Sequence, residues 1–522
     1  MYQQVHDPVG GSLALSALFA VLPLVTLFVL LAGLRLRAYL ATLIALAVAV
    51  TVAIAVYGMP ARQAFSSAGA GAAFGIFPIL WIVVNAMWIY AMTVATGHFQ
   101  TLRRGVGAAS GDERIQALIV GFSFGALFEA LAGFGAPVAI SAGMLLALGF
   151  EPLKAAGVAL VGNTAPAAFG SIALPIITLS GVTGIDKGDL GAMVGRQLPF
   201  LALLVPLVIV YIVDGRRGLR ETWPVALLAG SAFAVAQFVT SNYLSVELTD
   251  VVASLAALGA IAGYLRLRRP EAVRQGIPAE TIQALAPYLI LIVILMLAQV
   301  DPVKGFLGDR TKSFQWPGLE VTTAGGGEPP TATFTLNWLV SPGTAVLVSG
   351  LLTMLVLRIP PRVGLGAYRD TLVRLRGTML TITSVLALAY VMNLSGEVVT
   401  IGLWAAGVGG IFALISPLIG WLGVAITGSV TASNSLLGGL QVTAAHDAGL
   451  SPTLVAAGNS TGGVLAKMLS PQHLAIAAAA AGIAGREGDL MRSVLKWSVT
   501  LVTIMCVIVY LQSTGVLSWM VP

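Results

Sequence analysis

Long apolar runs alternate with short polar segments from one end of the chain to the other. A helix rises about 1.5 Å per residue and needs about 20 apolar residues to cross a bilayer's hydrocarbon core. Residues 12–34, 38–57, 74–95, 192–213, 222–240, 249–265, 282–300, 339–357, 377–394, 401–419 and 492–513 reach or approach that length. Two further regions, 115–180 and 420–482, are as apolar but are punctuated by Gly, Pro, Asn, Ser and Thr. The pattern predicts an all-α polytopic membrane protein, one integral membrane domain over 1–522. The polar stretch 301–338, with Gly325-Gly326-Gly327 and Pro329-Pro330, is expected to be an external loop.

The two punctuated regions share an order of features. Gly149 and Pro152 match Gly449 and Pro452; Asn163-Thr164 and Pro175 match Asn459-Ser460 and Pro471; Gly133-Phe134-Gly135 falls opposite Ser433-Asn434-Ser435. Irregular backbone at membrane depth is tolerated only where it is buried in protein or lines a water-filled cavity, and paired interruptions in two halves point to a transporter's midplane site. We therefore expect re-entrant hairpins at 121–147 and 420–447, each followed by a broken helix, 152–180 and 452–482. These are the cores of two repeats, about 115–180 and 420–482. An arrangement of two ordinary hairpins with proline kinks is the alternative. Counting every run as a span puts both hairpins on one side. Leaving one of 377–394 and 401–419 non-spanning gives about 12 spans and inverted repeats.

Composition narrows the classes. Of 522 residues, 57% are hydrophobic and only 10% charged, which excludes disorder, nucleic-acid binding and a soluble enzyme. The 60 glycines suit closely packed or broken membrane helices. The net charge of +6 comes from arginines that cluster in alternate loops, among them Arg35, Arg37, Arg103, Arg104, Arg114, Arg269, Arg274, Arg374 and Arg376. The positive-inside rule makes those loops cytoplasmic and both termini external. No basic region precedes the first apolar run, so no cleaved signal peptide is expected. The lone Cys506 and the scattered histidines offer no metal cluster, the sequence calls for no cofactor, and no P-loop motif is present.

All but two of the 28 Lys and Arg fall in loops or, for Lys154, at a helix start; the exceptions are Arg196 and Lys467. Among 22 acids, Glu129 is the one read as lying firmly inside an apolar stretch. A charge at the bilayer centre costs at least roughly 2.5–3.5 kcal/mol, so such residues face a partner or a cavity. Glu129 is expected to carry a proton, with a neutral or paired structural group as the alternative. Lys467 and Arg196 are candidates for an anionic substrate; pairing with an acid and snorkelling to the interface are their respective alternatives. Ser433, Asn434 and Ser435, at an expected hairpin tip, and Asn163, Thr164, Asn459, Ser460 and Thr461, at expected helix breaks, complete the candidate site. His473 reads equally as a helix-terminus packing residue and as a ligand.

Several ordered motifs carry a family resemblance: YGMP at 57–60, TGHF at 97–100, GFGAPVAI at 133–140, NTAPAAFG at 163–170, VGRQLPF at 194–200, SNSLLGGLQ at 433–441 and KMLSPQHLAIA at 467–477. Over essentially its whole length the chain resembles the bacterial lactate permeases. The resemblance implies a multi-pass protein of the bacterial inner membrane that takes up L-lactate, D-lactate and glycolate with protons, in an inverted-repeat fold. The family usually shows Gly-Ser-Asp-Thr-Ser where this chain has Gly428-Ser429-Val430-Thr431-Ala432. Without that Asp, more of the coupling role falls on Glu129. The alternatives are a small-anion channel, which would want rings of basic residues, and a transporter of another short monocarboxylate. An intramembrane enzyme lacks its acid dyad or metal motif.

Overall fold

Backbone polar groups cannot go unpaired in hydrocarbon, so a chain this apolar must fold as helices or a closed barrel. The computed structural model is built of helices. It describes residues 1–34, 36–98, 100–101, 110–131, 133, 135–268 and 279–522. Arg35, Arg103, Arg104, Arg269, Arg274 and Phe134, named above, lie outside the described residues. Among the described residues, nine helices are long and apolar enough to cross a membrane. One of them, Pro199–Tyr243, breaks at Asp214–Gly215 into two arms. The run 377–394 lies inside the single helix Pro361–Ser395. The run 401–419 is divided between the ten-residue helix Glu397–Ala406, too short to span, and Phe412–Thr427.

Two faces are distinguishable. Tyr2–Gln3 pairs in parallel with Val321–Thr322, and the Tyr2 hydroxyl donates to the Ser395 carbonyl (2.8 Å) and the Tyr57 carbonyl (3.2 Å). The N-terminus, the Tyr57 turn, the 312–336 segment and the end of helix Pro361–Ser395 therefore share one face. Arg37 and Arg362 sit at the opposite ends of Ala38–Ala55 and Pro361–Ser395. The polar loop also holds an antiparallel pair, Lys312–Gln315 with Thr333–Leu336, which the apolar pattern did not foretell.

Each interrupted region forms a helical hairpin followed by a helix that breaks. The first hairpin runs continuously from Glu113 to Leu131, turns, and returns as Ala136–Ala147. The second is Phe412–Thr427 and Val430–Asp447. Lipid tails are as apolar as leucine, so helices associate in a bilayer by close approach rather than by hydrophobic expulsion. Glycines provide that approach here. A Cβ on Gly162 would collide with the Gly121 carbonyl, on Gly420 with the Asn459 carbonyl, and on Gly462 with the Pro417 carbonyl. In both regions the hairpin's first helix thus lies backbone to backbone against the broken helix. Gly462→Ala is expected to cost about 1–3 kcal/mol through overpacking. Gly488→Ala, in open space, is expected to be silent. Thermal melts of the purified variants in detergent check the pair, and equal melting would reject the close-approach account.

Candidate functional site

The turn of the second hairpin lies at Gly428–Ser429, not at Ser433–Ser435 as the spacing led one to expect. Gly428 takes φ 73°, a left-handed conformation that glycine adopts without penalty. Ser429 caps the next helix, its Oγ accepting from the Ala432 amide at 3.2 Å. Ser433, Asn434 and Ser435 lie in the first turns beyond that cap. Likewise Asn459, Ser460 and Thr461 do not interrupt the second broken helix: Pro452–Ala466 runs through them, and the interruption comes at Lys467–Ser470. Only in the first region does the Asn mark the break, with Asn163 capping Pro152–Gly162. After it the chain turns and re-enters a helix at Gly170–Thr183, whose first turn winds left-handed at Ser171 (φ 48°), Ile172 (59°) and Ala173 (57°). Left-handed geometry costs roughly 1–2 kcal/mol per non-glycine residue. Local strain of this kind persists where surrounding packing over-determines it, often at functional sites.

These breaks meet. Lys467 Nζ lies 2.5 Å from Glu129 Oε1, and the Asn163 amide donates to Glu129 Oε2 at 2.8 Å. Both charged side chains are buried, Glu129 3% and Lys467 6% exposed. Gly170 packs so close that a Cβ there would come 2.6 Å from Glu129 Oε1. The Glu129–Lys467 pair borders a cavity of about 440 Å³, within the range of small-molecule sites. Its walls are Gly170–Ser171, the Gly428–Ala432 turn and Ser435, with His473 and Gln472 beside Lys467. Arg37, Tyr39, Gly377 and Thr378 line the end where exposed residues gather. His473 Nδ1 is 2.9 Å from Ser470 Oγ, while its Nε2 has no partner among the described residues.

The other expected residues fall into two groups. Asn434, Asn459 and Ser460 stand behind the cavity wall in an amide network. Asn459 donates to Asn434 Oδ1 (2.9 Å); Asn434 donates to Ser460 Oγ (3.2 Å) and to the Pro175 carbonyl (3.0 Å); Gln441 donates to Asn459 Oδ1 (3.1 Å). That network ties the second hairpin to both broken helices. Ser433 donates to the Gly420 carbonyl, and Thr164 to the Val161 carbonyl. Arg196 is elsewhere: it donates to Asn242 Oδ1 and to the Met520 carbonyl, both at 2.8 Å, fastening the C-terminal segment. The reading of Glu129 as the lone buried acid also needs correction, because Glu247, Asp250 and Glu397 are as buried. Each stands at or beside a helix terminus, where the apolar pattern gives no measure of depth. Ser429 was legible as a Gly-Ser helix cap; Ser171 had no local signal.

The L-lactate permease family matches residues 16–515. The chain belongs to that family. It is 41% identical to the glycolate permease GlcA of Escherichia coli K12, over 99% of both chains. It is 40% identical to the L-lactate permeases of Bacillus subtilis 168 and of Escherichia coli K12, over the full length of each. Within this L-lactate permease family member, the ends of NTAPAAFG and KMLSPQHLAIA meet at the cavity, together with the GSVTA turn just before SNSLLGGLQ. Val430 of that turn lies in the cavity wall.

Proposed function

We propose that this chain is a secondary active transporter of the bacterial inner membrane that takes up L-lactate, and with it D-lactate and glycolate, by symport with a proton. The observation that carries the reading is the buried Glu129–Lys467 pair bordering the cavity. In this structure the cationic Lys467 is neutralised by Glu129. A substrate carboxylate entering alone would add one uncompensated negative charge to a buried site, at a cost of several kcal/mol. A substrate carboxylate entering with a proton adds none. The proton goes to a Glu129 oxygen, the Glu129–Lys467 ion pair is released, and Lys467 pairs with the substrate instead. Free amides at the start of helix Val430–Asp447 and its positive dipole end assist at the same wall. Ser171, Ser429, Thr431 and Ser435 are within the lining to bind the 2-hydroxyl.

The two hairpin-and-broken-helix units are read as inverted repeats about this site, within about 12 spans and with both termini outside. Asn163, Thr164, Asn434, Asn459 and Ser460 then act as the supporting frame rather than as contacts. The cavity mouth lies at Arg37, which caps Ala38–Ala55, and at Gly377, next to Arg376 midway along Pro361–Ser395. By the positive-inside rule that mouth is cytoplasmic.

The test is counterflow in proteoliposomes. Preloading with unlabelled L-lactate should accelerate uptake of labelled L-lactate, with D-lactate and glycolate competing and propionate, lacking the hydroxyl, competing poorly. Uptake that never saturates and ignores substrate on the far side would overturn the carrier reading in favour of a small-anion channel.

A further inference from the structure

Asp250, the second residue of helix Thr249–Arg268, is 1% exposed, and the transport reading leaves it without a role. Its Oδ1 accepts from Gln237 Nε2 at 2.8 Å. Its Oδ2 has no partner among the described residues, and neither has Gln237 Oε1. A carboxylate beside a carboxamide in this way leaves two buried acceptors unsatisfied, each at a cost in stability. One proton on Oδ2 turns that acceptor into a donor of the kind Gln237 Oε1 lacks, while Oδ1 still accepts from Nε2.

The position is as informative as the pairing. Helix Thr249–Arg268, which carries Asp250 in its first turn, packs against Gly125–Leu131, which carries Glu129. One turn before it, Glu247 pairs with the half-exposed Lys187 and accepts from Ser245 at 2.9 Å. The charged residues of the neighbouring long helix, Asp214, Arg216, Arg217, Arg220 and Glu221, sit at its break or in the following turns, more than four turns from Gln237. Arg114 joins them there. Lys187, Glu247 and Asp250 are therefore at the face opposite the arginine-bearing ends.

We propose that Asp250, held by Gln237, is a second proton-holding residue that supplies Glu129 from the face opposite the cavity mouth. The proton leaves Asp250 Oδ2 and arrives on a Glu129 oxygen; Asp250 becomes the carboxylate and is refilled from the Lys187–Glu247 side. The inference rests on the proton-coupled reading above but fails separately from it.

Asp250→Asn tests it, because the new amide donates to Gln237 Oε1 as the protonated acid would, and so preserves the pairing. In proteoliposomes, the variant should keep lactate–lactate counterflow at equal pH and lose uptake driven by an acid exterior; Asp250→Glu should restore it. Gradient-driven uptake intact in Asp250→Asn, beside a Glu129→Gln variant that has lost it, would overturn the role of Asp250 and leave the transport reading standing. Loss of counterflow as well would reduce Asp250 to packing and overturn the proposal equally. A measurement independent of transport is the infrared difference between wild type and Asp250→Asn at neutral pH. A buried protonated carboxyl band that disappears in the variant supports the proposal, and its absence from the wild type overturns it.

Discussion

Glu129→Gln is expected to separate exchange from accumulation. Glutamine has the shape of the protonated acid and carries no charge, so Lys467 stays free for a substrate carboxylate. Lactate should still exchange for lactate across the membrane, and the apparent affinity should become independent of pH. Accumulation against a gradient should vanish. One pH unit supplies about 1.4 kcal/mol, which wild type converts into as much as a tenfold concentration ratio; the variant should settle at equal concentrations on both sides. A cycle carrying one proton with one monoanion moves no net charge, so wild-type accumulation should follow the pH gradient and ignore membrane potential. The measurement is labelled uptake into one batch of vesicles under three conditions: counterflow at equal pH, a pH step, and a potassium diffusion potential. Retained accumulation in Glu129→Gln would remove Glu129 from the coupling step, and loss of exchange as well would assign it to packing.

Lys467→Ala should have the larger effect on binding. Truncating one partner of a buried, hydrogen-bonded charge pair costs about 2–5 kcal/mol, or roughly 30-fold to several-thousand-fold in affinity. Part of that loss comes from Glu129, which is left buried beside Asn163 alone. The double variant Lys467→Ala/Glu129→Gln isolates the rest, since it removes the stranded charge. We expect the double variant to recover the thermal stability lost in Lys467→Ala but not lactate-dependent stabilisation or counterflow. If the double variant instead recovers lactate binding, Lys467 serves only to neutralise Glu129 and the carboxylate binds elsewhere, at the Val430–Thr431 amides.

Hydropathy along the chain was enough to identify an all-helical membrane protein, the two glycine-rich regions that break, and Glu129 and Lys467 as charges in apolar surroundings. The reason is that the bilayer penalises polar groups by length of exposure, a one-dimensional cost readable from a run of residues. It does not name partners. Glu129 and Lys467 are 338 residues apart, and their contact depends on where two helices stop. Asn163 caps a helix and reaches Glu129, while the matched Asn459 sits inside a continuous helix and bonds to Asn434 and Gln441. Arg196 looked like Lys467 in sequence, yet Asn242 and the Met520 carbonyl satisfy it at the far end of its helix. Asp250 and Glu397 stand in the first turns of their helices, and neighbouring helices bury them. Depth, pairing and the line of the cavity belong to the packing of helix ends, where glycine permits close approach and a break exposes side chains to one another. Local pattern carries no record of that packing, because its contacts join residues hundreds of positions apart.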